Sequence, residues 1–483
     1  KVKQILMIKM RINKILIVLI VALTYQKLIG QSKVWTLEEC IELAIEKNIS
    51  VKQGQLNYED ALIDKKTAKA NFLPTINFNA NHSWNIGLNQ NITTGLFENM
   101  TTQFSSGNLS LGVDIYRGKQ NFIQLYRANL ALLARQYQIE DIMDDTKLLV
   151  ANAYLQIMFN KEIVNVQKTQ LDIVKRQLER TSNLVEAGIL IENDRIDLIA
   201  EVASQEQNLV LSNNNLRLSK INLAQLLLIT DYENFDILTE DLDVPFSQIM
   251  EEGPKKIFEK ALSFRNDIKL AIANVEIAEA DIKLAKGNLL PSLVGFYSFS
   301  TRLSYADRIR GSGEFQEIPI GFVRSSGEVV NTNREIPEVI GPLPVFDQLG
   351  INDGHNFGIQ LNIPIFNGLR NRNNFRQSKI NLERSKNLME QQKLDLETTI
   401  NQAFNDTKGA YTLYEAAKKT KDARLTSFNN SKDRFDEGII DSFNYLQIKQ
   451  SYDTSVSDEI RSKYDYIFKL KVLEFYFGIP ISM

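Results

Sequence analysis

Two histidines, His82 and His355, one cysteine, Cys40, and a dispersed set of carboxylates are the side chains of this 483-residue chain that could ligate a metal, relay a proton or attack a substrate. Their spacing supports none of these chemistries. A histidine-built metal or relay site needs several imidazoles at ligand spacing, and each histidine here stands alone. His82 alternates with apolar neighbours and His355 precedes a strand-like stretch, so both read as interface or loop positions. One cysteine makes no disulfide framework. There is no glycine-rich phosphate loop, nucleophile elbow or metal motif. The carboxylates are spread along exposed helical patterns and carry no catalytic signal. The expectation is a protein that is no enzyme and uses no cofactor. A formal charge of −3 further argues against a nucleic-acid partner, which calls for a basic face.

What remains is the chemistry of shape and charge, and the elements that set it are written in the punctuation. None of the 10 prolines lies within 75–244 or 365–479, and glycine thins out in the same stretches. Residues 1–30 form a separate segment, with six basic side chains, no acid and an apolar run Ile15–Leu23 too short to span a bilayer as a helix. This is the layout of an export signal with cleavage after Gly30; losing its six positive charges would take the chain from −3 to −9.

The rest is a tandem duplication in two registers. Ile41–Pro74 matches Phe258–Pro291 at an offset of 217, and Tyr116–Ile229 matches Phe366–Ile479 at an offset of 250. The first repeat spans 31–245, with a helix at 36–73, strands at 75–86 and 106–117, and helices at 118–187 and 193–229. The second spans 246–483, with a helix at 255–290, strands at 292–304 and 355–366, and helices at 368–437 and 443–477. Its extra 33 residues fall within 292–366, where 301–355 is read as an extracellular loop. Pro74 and Pro291 end the first helices, Gly118 and Gly368 begin the long ones, and Gly188 and Gly438 let the backbone turn between antiparallel helices.

The strands alternate, least cleanly over Ser292–Ser300, where Val294 and Phe296 fall on the nominally polar face. Ile76, Phe78, Ala80, His82 and Trp84 share one face, with asparagine, serine and threonine on the other. About ten residues per strand and a wet, weakly charged second face suit a transmembrane barrel. Four strands per chain cannot close in lipid, where edge groups find no water. Two copies give eight strands and a filled bore; three give twelve and a lumen. Trp84, Tyr297 and Phe299 are candidates for an aromatic girdle at the membrane interface. The fold class is thus α+β: duplicated long helical hairpins forming a helical barrel, plus four membrane strands contributed to a twelve-stranded trimeric barrel.

The junctions Asn71-Phe72-Leu73-Pro74-Thr75 and Asn288-Leu289-Leu290-Pro291-Ser292, the Tyr116-Arg117-Gly118 and Phe366-Asn367-Gly368 returns, and the Gly-Ile turns at 188 and 438 together resemble the TolC-like outer membrane efflux family over about 36–480. The opening Leu37–Ala44 looks like its Bacteroidetes branch. The resemblance implies a homotrimer in outer membrane lipid with its helices in the periplasm. It implies docking to a periplasmic adaptor (membrane fusion) protein and an inner-membrane transporter, in drug or metal efflux or in type I secretion. It also places acids six and nine residues after each turn glycine, at the periplasmic entrance. Those positions are Asp194 and Asp197 in the first repeat but Asn444 and Gln447 in the second, where Asp441 lies three residues after Gly438. Each acid would equally serve as an ordinary helix-start residue. The alternative function is a non-channel periplasmic coiled-coil adaptor or structural protein; an adaptor should carry one helical hairpin, whereas this chain has two.

Overall fold

The computed structural model describes residues 33–91, 94–239, 244 and 248–481; the export signal at 1–30 lies outside them. The first repeat runs β1 (Val34–Trp35), α1 (Leu37–Lys47), α2 (Ile49–Ala70), β2 (Thr75–Gln90), β3 (Phe97–Arg117), α3 (Gln120–Glu186), α4 (Glu192–Leu226) and β4 (Asp236–Ile237). The second runs α5 (Ile249–Glu252), α6 (Pro254–Phe264), α7 (Asn266–Gly287), β5 (Ser292–Ser304), β6 (Arg308–Phe322), β7 (Val329–Ile340), α8 (Val345–Ile351), β8 (Gly354–Asn362), α9 (Arg370–Asp436) and α10 (Ser442–Tyr476). Both long helices have 67 residues, about 100 Å at 1.5 Å per residue. Among the described residues no helix is apolar enough over 18 residues to cross a membrane.

The chain divides into two compact units. One contains Lys1–Ala61, Ala131–Val275 and Arg384–Met483, and the elements among its described residues are helices apart from the parallel β1–β4 pair. Leu37, Cys40 and Ala44 of α1 are buried with Val150, Tyr154, Ile157 and Met158 of α3, Leu223 of α4 and Ile467 of α10. The second repeat builds a matching cluster from Ile257, Ala261, Ile268, Leu396, Ile400 and Leu470. Burial pushes the Cys40 thiol up to about 12, which leaves it a small apolar side chain rather than a nucleophile.

Each repeat was expected to open with one continuous helix, at 36–73 and 255–290. Both are broken, at Asn48 and at its image Arg265, where ψ is 130° in each case. Asn48 Oδ1 accepts from Ser50 N at 2.7 Å and Val51 N at 3.3 Å, so a side-chain cap restarts the helix. Arg265 is anchored differently. Its guanidinium donates to Asp267 at 2.9 and 3.1 Å and lies 3.9 Å from Asp141 of α3, while Asn266 donates to Asp144 at 3.1 Å. Burial first, then Asp267 and Asp145, raises the Asp141 carboxyl to about 6.

The other unit contains Leu62–Leu130 and Glu276–Glu383. Its four-stranded antiparallel sheet has the order β2-β3-β5-β8. The alternation seen in the sequence becomes rows: Ile76, Leu111, Tyr297 and Phe357 lie side by side, and one residue along, Asn77, Ser110, Ser298 and Asn356. Phe296 stands in the polar rows, and Gly358 beside it makes room, since a Cβ there would sit 3.2 Å from the ring. Within 301–355, read as a loop, lie the end of β5, the hairpin β6–β7 and α8. Arg310 stands opposite Glu338 in that hairpin, and the ladder slips near Gly311 and Pro319.

Candidate functional site

The residues named above fall at two places, the helix turns and the sheet with its junctions. At the turns Gly188 and Gly438 adopt φ of 74° and 73°. Each closes its helix the same way: Ile189 N bonds Leu184 O at 2.9 Å, and Ile439 N bonds Arg434 O at 2.8 Å. No heavy atom approaches a Cβ position on either glycine within 4 Å, so the requirement is the left-handed backbone alone.

Asp194, 5% exposed, accepts from Ile191 N at 3.3 Å and from Ser442 N at 3.1 Å. Asp197 accepts from Ser442 Oγ at 2.8 Å. Both carboxylates thus tie the start of α4 to the start of α10 within one chain. Asp441 does something else: it caps its own helix, accepting from Asn444 N at 2.9 Å and from Asn444 Nδ2 at 2.8 Å. Asn444 and Gln447 are exposed and reach no other hairpin among the described residues.

Three further links between the hairpins are absent from the sequence reading. Asp436, at the end of α9, accepts from Gln177 and Arg180 of α3, each at 3.1 Å. Lys449 of α10 is only 1% exposed; it pairs with Asp453 and lies 3.6 Å from Glu201 of α4. Burial raises the Asp453 carboxyl while Lys449 opposes that rise. Around these charges Val174, Leu198, Phe428, Phe435 and Tyr445 form an apolar cluster, with Phe435 and Tyr445 stacked at 4.8 Å. Burial raises the Tyr445 phenol, and its hydroxyl has no hydrogen-bond partner. A lysine or serine in a helix normally reads as solvated surface, so Lys449 and Ser442 gave no signal.

On the sheet, the apolar rows are exposed: Phe357 is 77% and Ile359 67% accessible. The opposite rows hold Asn77, Asn79, Asn108, Ser110, Ser298 and Asn356, with Asn108 donating to Ser298 at 3.3 Å. β2 and β8 are both edges. The girdle candidates separate into two levels. Tyr297 and Phe299 gather around His355, the Tyr297 hydroxyl lying 2.8 Å from Nδ1. Trp84 packs on His82 at 4.2 Å, eight residues, or about 26 Å, further along the strand than Ile76 in the Tyr297 row. His82 Nδ1 meets Ser105 Oγ at 2.7 Å, and Ser105 meets Tyr305 at 3.1 Å.

At the junctions, Leu73 N closes on Ala70 O at 2.9 Å before Pro74, and Leu290 N on Gly287 O at 3.0 Å before Pro291. Asn121 Nδ2 donates to Asn71 O at 3.0 Å, and its image Asn371 to Asn288 O at 2.6 Å. Gly118 and Gly368, with φ of 55° and 65°, differ in surroundings. A Cβ on Gly118 would fall 2.3 Å from Gly287 O, whereas Gly368 faces open space.

Comparison with known proteins matches residues 40–227 and 257–478 to the outer membrane efflux protein family. No curated protein sequence matches. Among solved structures, CusC matches with a TM-score of 0.72 at 15% identity, covering 92% of both chains. The CmeC outer membrane channel of Campylobacter jejuni matches at 0.69 and 16%, covering 92% of this chain and 85% of that one. The outer membrane protein VceC of Vibrio cholerae matches at 0.70 and 13%, covering 92% and 97%. At these identities the likeness is one of fold: long helices joined to a sheet.

Proposed function

Since the chain belongs to the outer membrane efflux protein family, whose members are transport channels of the outer membrane with periplasmic helices, we propose that it acts as a passive homotrimeric export duct. The observation that carries the reading is the sheet: apolar rows exposed on one face, amide and hydroxyl rows on the other, and both edges open. Such a sheet is stable in lipid only when closed. Three copies supply twelve strands, enough for a wet lumen. The two aromatic levels, about 26 Å apart along strands that tilt about 40° in such a barrel, stand about 20 Å apart along the membrane normal, close to the height of an apolar band about 25 Å tall. The β6–β7 hairpin then stands at the outer mouth.

In this reading the turns at Gly188 and Gly438 are the periplasmic entrance, and an adaptor and an inner-membrane pump dock there to supply the energy. Asp194 and Asp197 hold the entrance closed by bonding Ser442 rather than by lining an axis as bare charges. Asp441, Asn444 and Gln447 leave the second repeat without the acids at six and nine residues. The test is recovery of a heat-modifiable trimer from outer-membrane fractions and its conductance in planar bilayers. A conducting trimer supports the duct; a soluble periplasmic monomer overturns it.

A further inference from the structure

We propose that the contact between the two repeats inside one chain is repeated, position for position, between the second repeat of one copy and the first repeat of the next, which fixes the strand register of the assembled barrel. The inference rests on the homotrimeric reading above and specifies its interface.

The two sequence offsets recur in the sheet. Thr75 faces Gly112 and Ser292 faces Asn362; Ser83 faces Phe104 and Ser300 faces Gly354. The members of each duplicated pair differ by 217 on one strand and 250 on the other, so the two hairpins are images of each other. Between them lies the β3–β5 pairing, from Phe104 opposite Ser304 to Asp114 opposite Val294. Advancing β3 by 250 and moving β5 back by 217 lays β8 of one copy on β2 of another. Gly354 then faces Gly87, Phe357 faces Trp84, Gln360 faces Asn81 and Asn362 faces Asn79. β8 begins at Gly354, where the image begins.

The register passes a test it was not built to pass. A slip of one residue would set apolar rows against polar ones. Here Phe357, Ile359 and Leu361 meet Trp84, His82 and Ala80, while Asn356, Gln360 and Asn362 meet Asn85, Asn81 and Asn79. The bulge between Asp114 and Tyr116 maps onto Pro364 and Phe366, a place where a strand tolerates proline.

The junction supplies unanswered groups. Within the chain Gln120 Nε2 donates to Asn288 Oδ1 at 3.0 Å. The images are Arg370, whose guanidinium finds no acceptor among the described residues, and Asn71, whose Nδ2 donates to Gln124 while its Oδ1 receives no donor among them. Arg127 pairs with Asp281 at 2.5 Å; the images are Gln377 and Asp64, an acid with no cation beside it among the described residues. Two images are less favourable. Arg376 falls opposite Lys66, where Tyr126 lies under Lys283, and Ala70 replaces Gly287, whose added Cβ would lie 2.8 Å from Gly118 O. The copy-to-copy junction must therefore sit slightly wider than the internal one, and Arg376 must turn toward Asp64.

Cysteine pairs in the full-length protein test the register in proteoliposomes, since the native Cys40 is buried. Asn81→Cys with Gln360→Cys should link copies under mild oxidation at least about tenfold more than the slipped pair Asn79→Cys with Gln360→Cys, because directly opposed Cβ atoms lie about 5 Å apart and diagonal ones 7–8 Å. A second measurement avoids cysteine: Arg370→Glu should lower the temperature at which the trimer dissociates, and adding Asn71→Arg should restore it. Preferential linking of the slipped pair, or no rescue, in a native trimer overturns the register and leaves the homotrimer standing. A chain that never forms trimers removes both.

Discussion

At the helical tip charged groups are buried and answered within one chain; across the sheet apolar groups are exposed and edge groups are unanswered. Asp194, Asp436 and Lys449 each find a partner on the other hairpin, while β2 and β8 find none. The difference teaches which part is finished in the monomer. The tip is a closed internal contract between two hairpins, and the sheet is left open at both edges.

Changes at the tip should therefore act on the single chain, and changes at the sheet on assembly. The largest expected effect is Lys449→Ala, which leaves the partly exposed Glu201 and Asp453 without their cation and empties a buried position, and should cost about 3–4 kcal/mol, read by denaturant unfolding of the helical signal. If trimer dissociation shifts and helical unfolding does not, the contrast breaks. Gly118→Ala should follow at about 3 kcal/mol, from overpacking on Gly287 plus a strained positive φ. Gly368→Ala should cost only about 1 kcal/mol from φ in the monomer, and more once copies assemble; equal effects in both forms would deny the open side any partner. Next comes Asp194→Ala, at about 1–3 kcal/mol for stranding the Ser442 and Ile191 N–H groups, with conductance rising as the tip loosens. Asp441→Ala should cost less, about 1 kcal/mol for a lost cap, without that rise.

The smallest effect is a pH dependence. Asp141 has a folded pKa near 6, above the ordinary 3.8. The folded state then binds its proton more tightly than the unfolded one, so this group's contribution favours folding as pH falls through 6 toward 4. The carboxyl is half-buried, so the gain is about 1 kcal/mol after screening. Asp141→Asn should stabilise the chain at pH 7.5 and flatten its stability between pH 7.5 and 5, as measured by thermal melts.

What could be read from sequence was what local chemistry dictates. Proline and glycine placement marks helix ends, and alternation from Ile76 to Trp84 marks a strand, because both are set by neighbours a few residues away. The offsets of 217 and 250 carried topology as well, since images must fold alike. The break at Asn48 escaped because helical spacing continues across it, and only the Asx cap changes ψ. The hairpin at 308–340 escaped because its exposed strands mix charged and apolar residues and are punctuated by glycine and proline. At the tip, resemblance selected Asp194 and Asp197 for their charge, but their geometry spends that charge on Ser442. Lys449 was illegible because its burial exists only when two hairpins meet.

That lysine gives the tip a mechanical character. Two apolar helices can slide past each other dry, trading one contact for the next. Hairpins pinned by a charge that is 1% exposed cannot. Parting them takes Glu201 away from the ammonium and bares the Lys449–Asp453 pair to water, so opening at this level is a wetting event whose cost is partly refunded by hydration. Such a seam resists small thermal excursions, then yields abruptly when something large enough to admit water pulls on it.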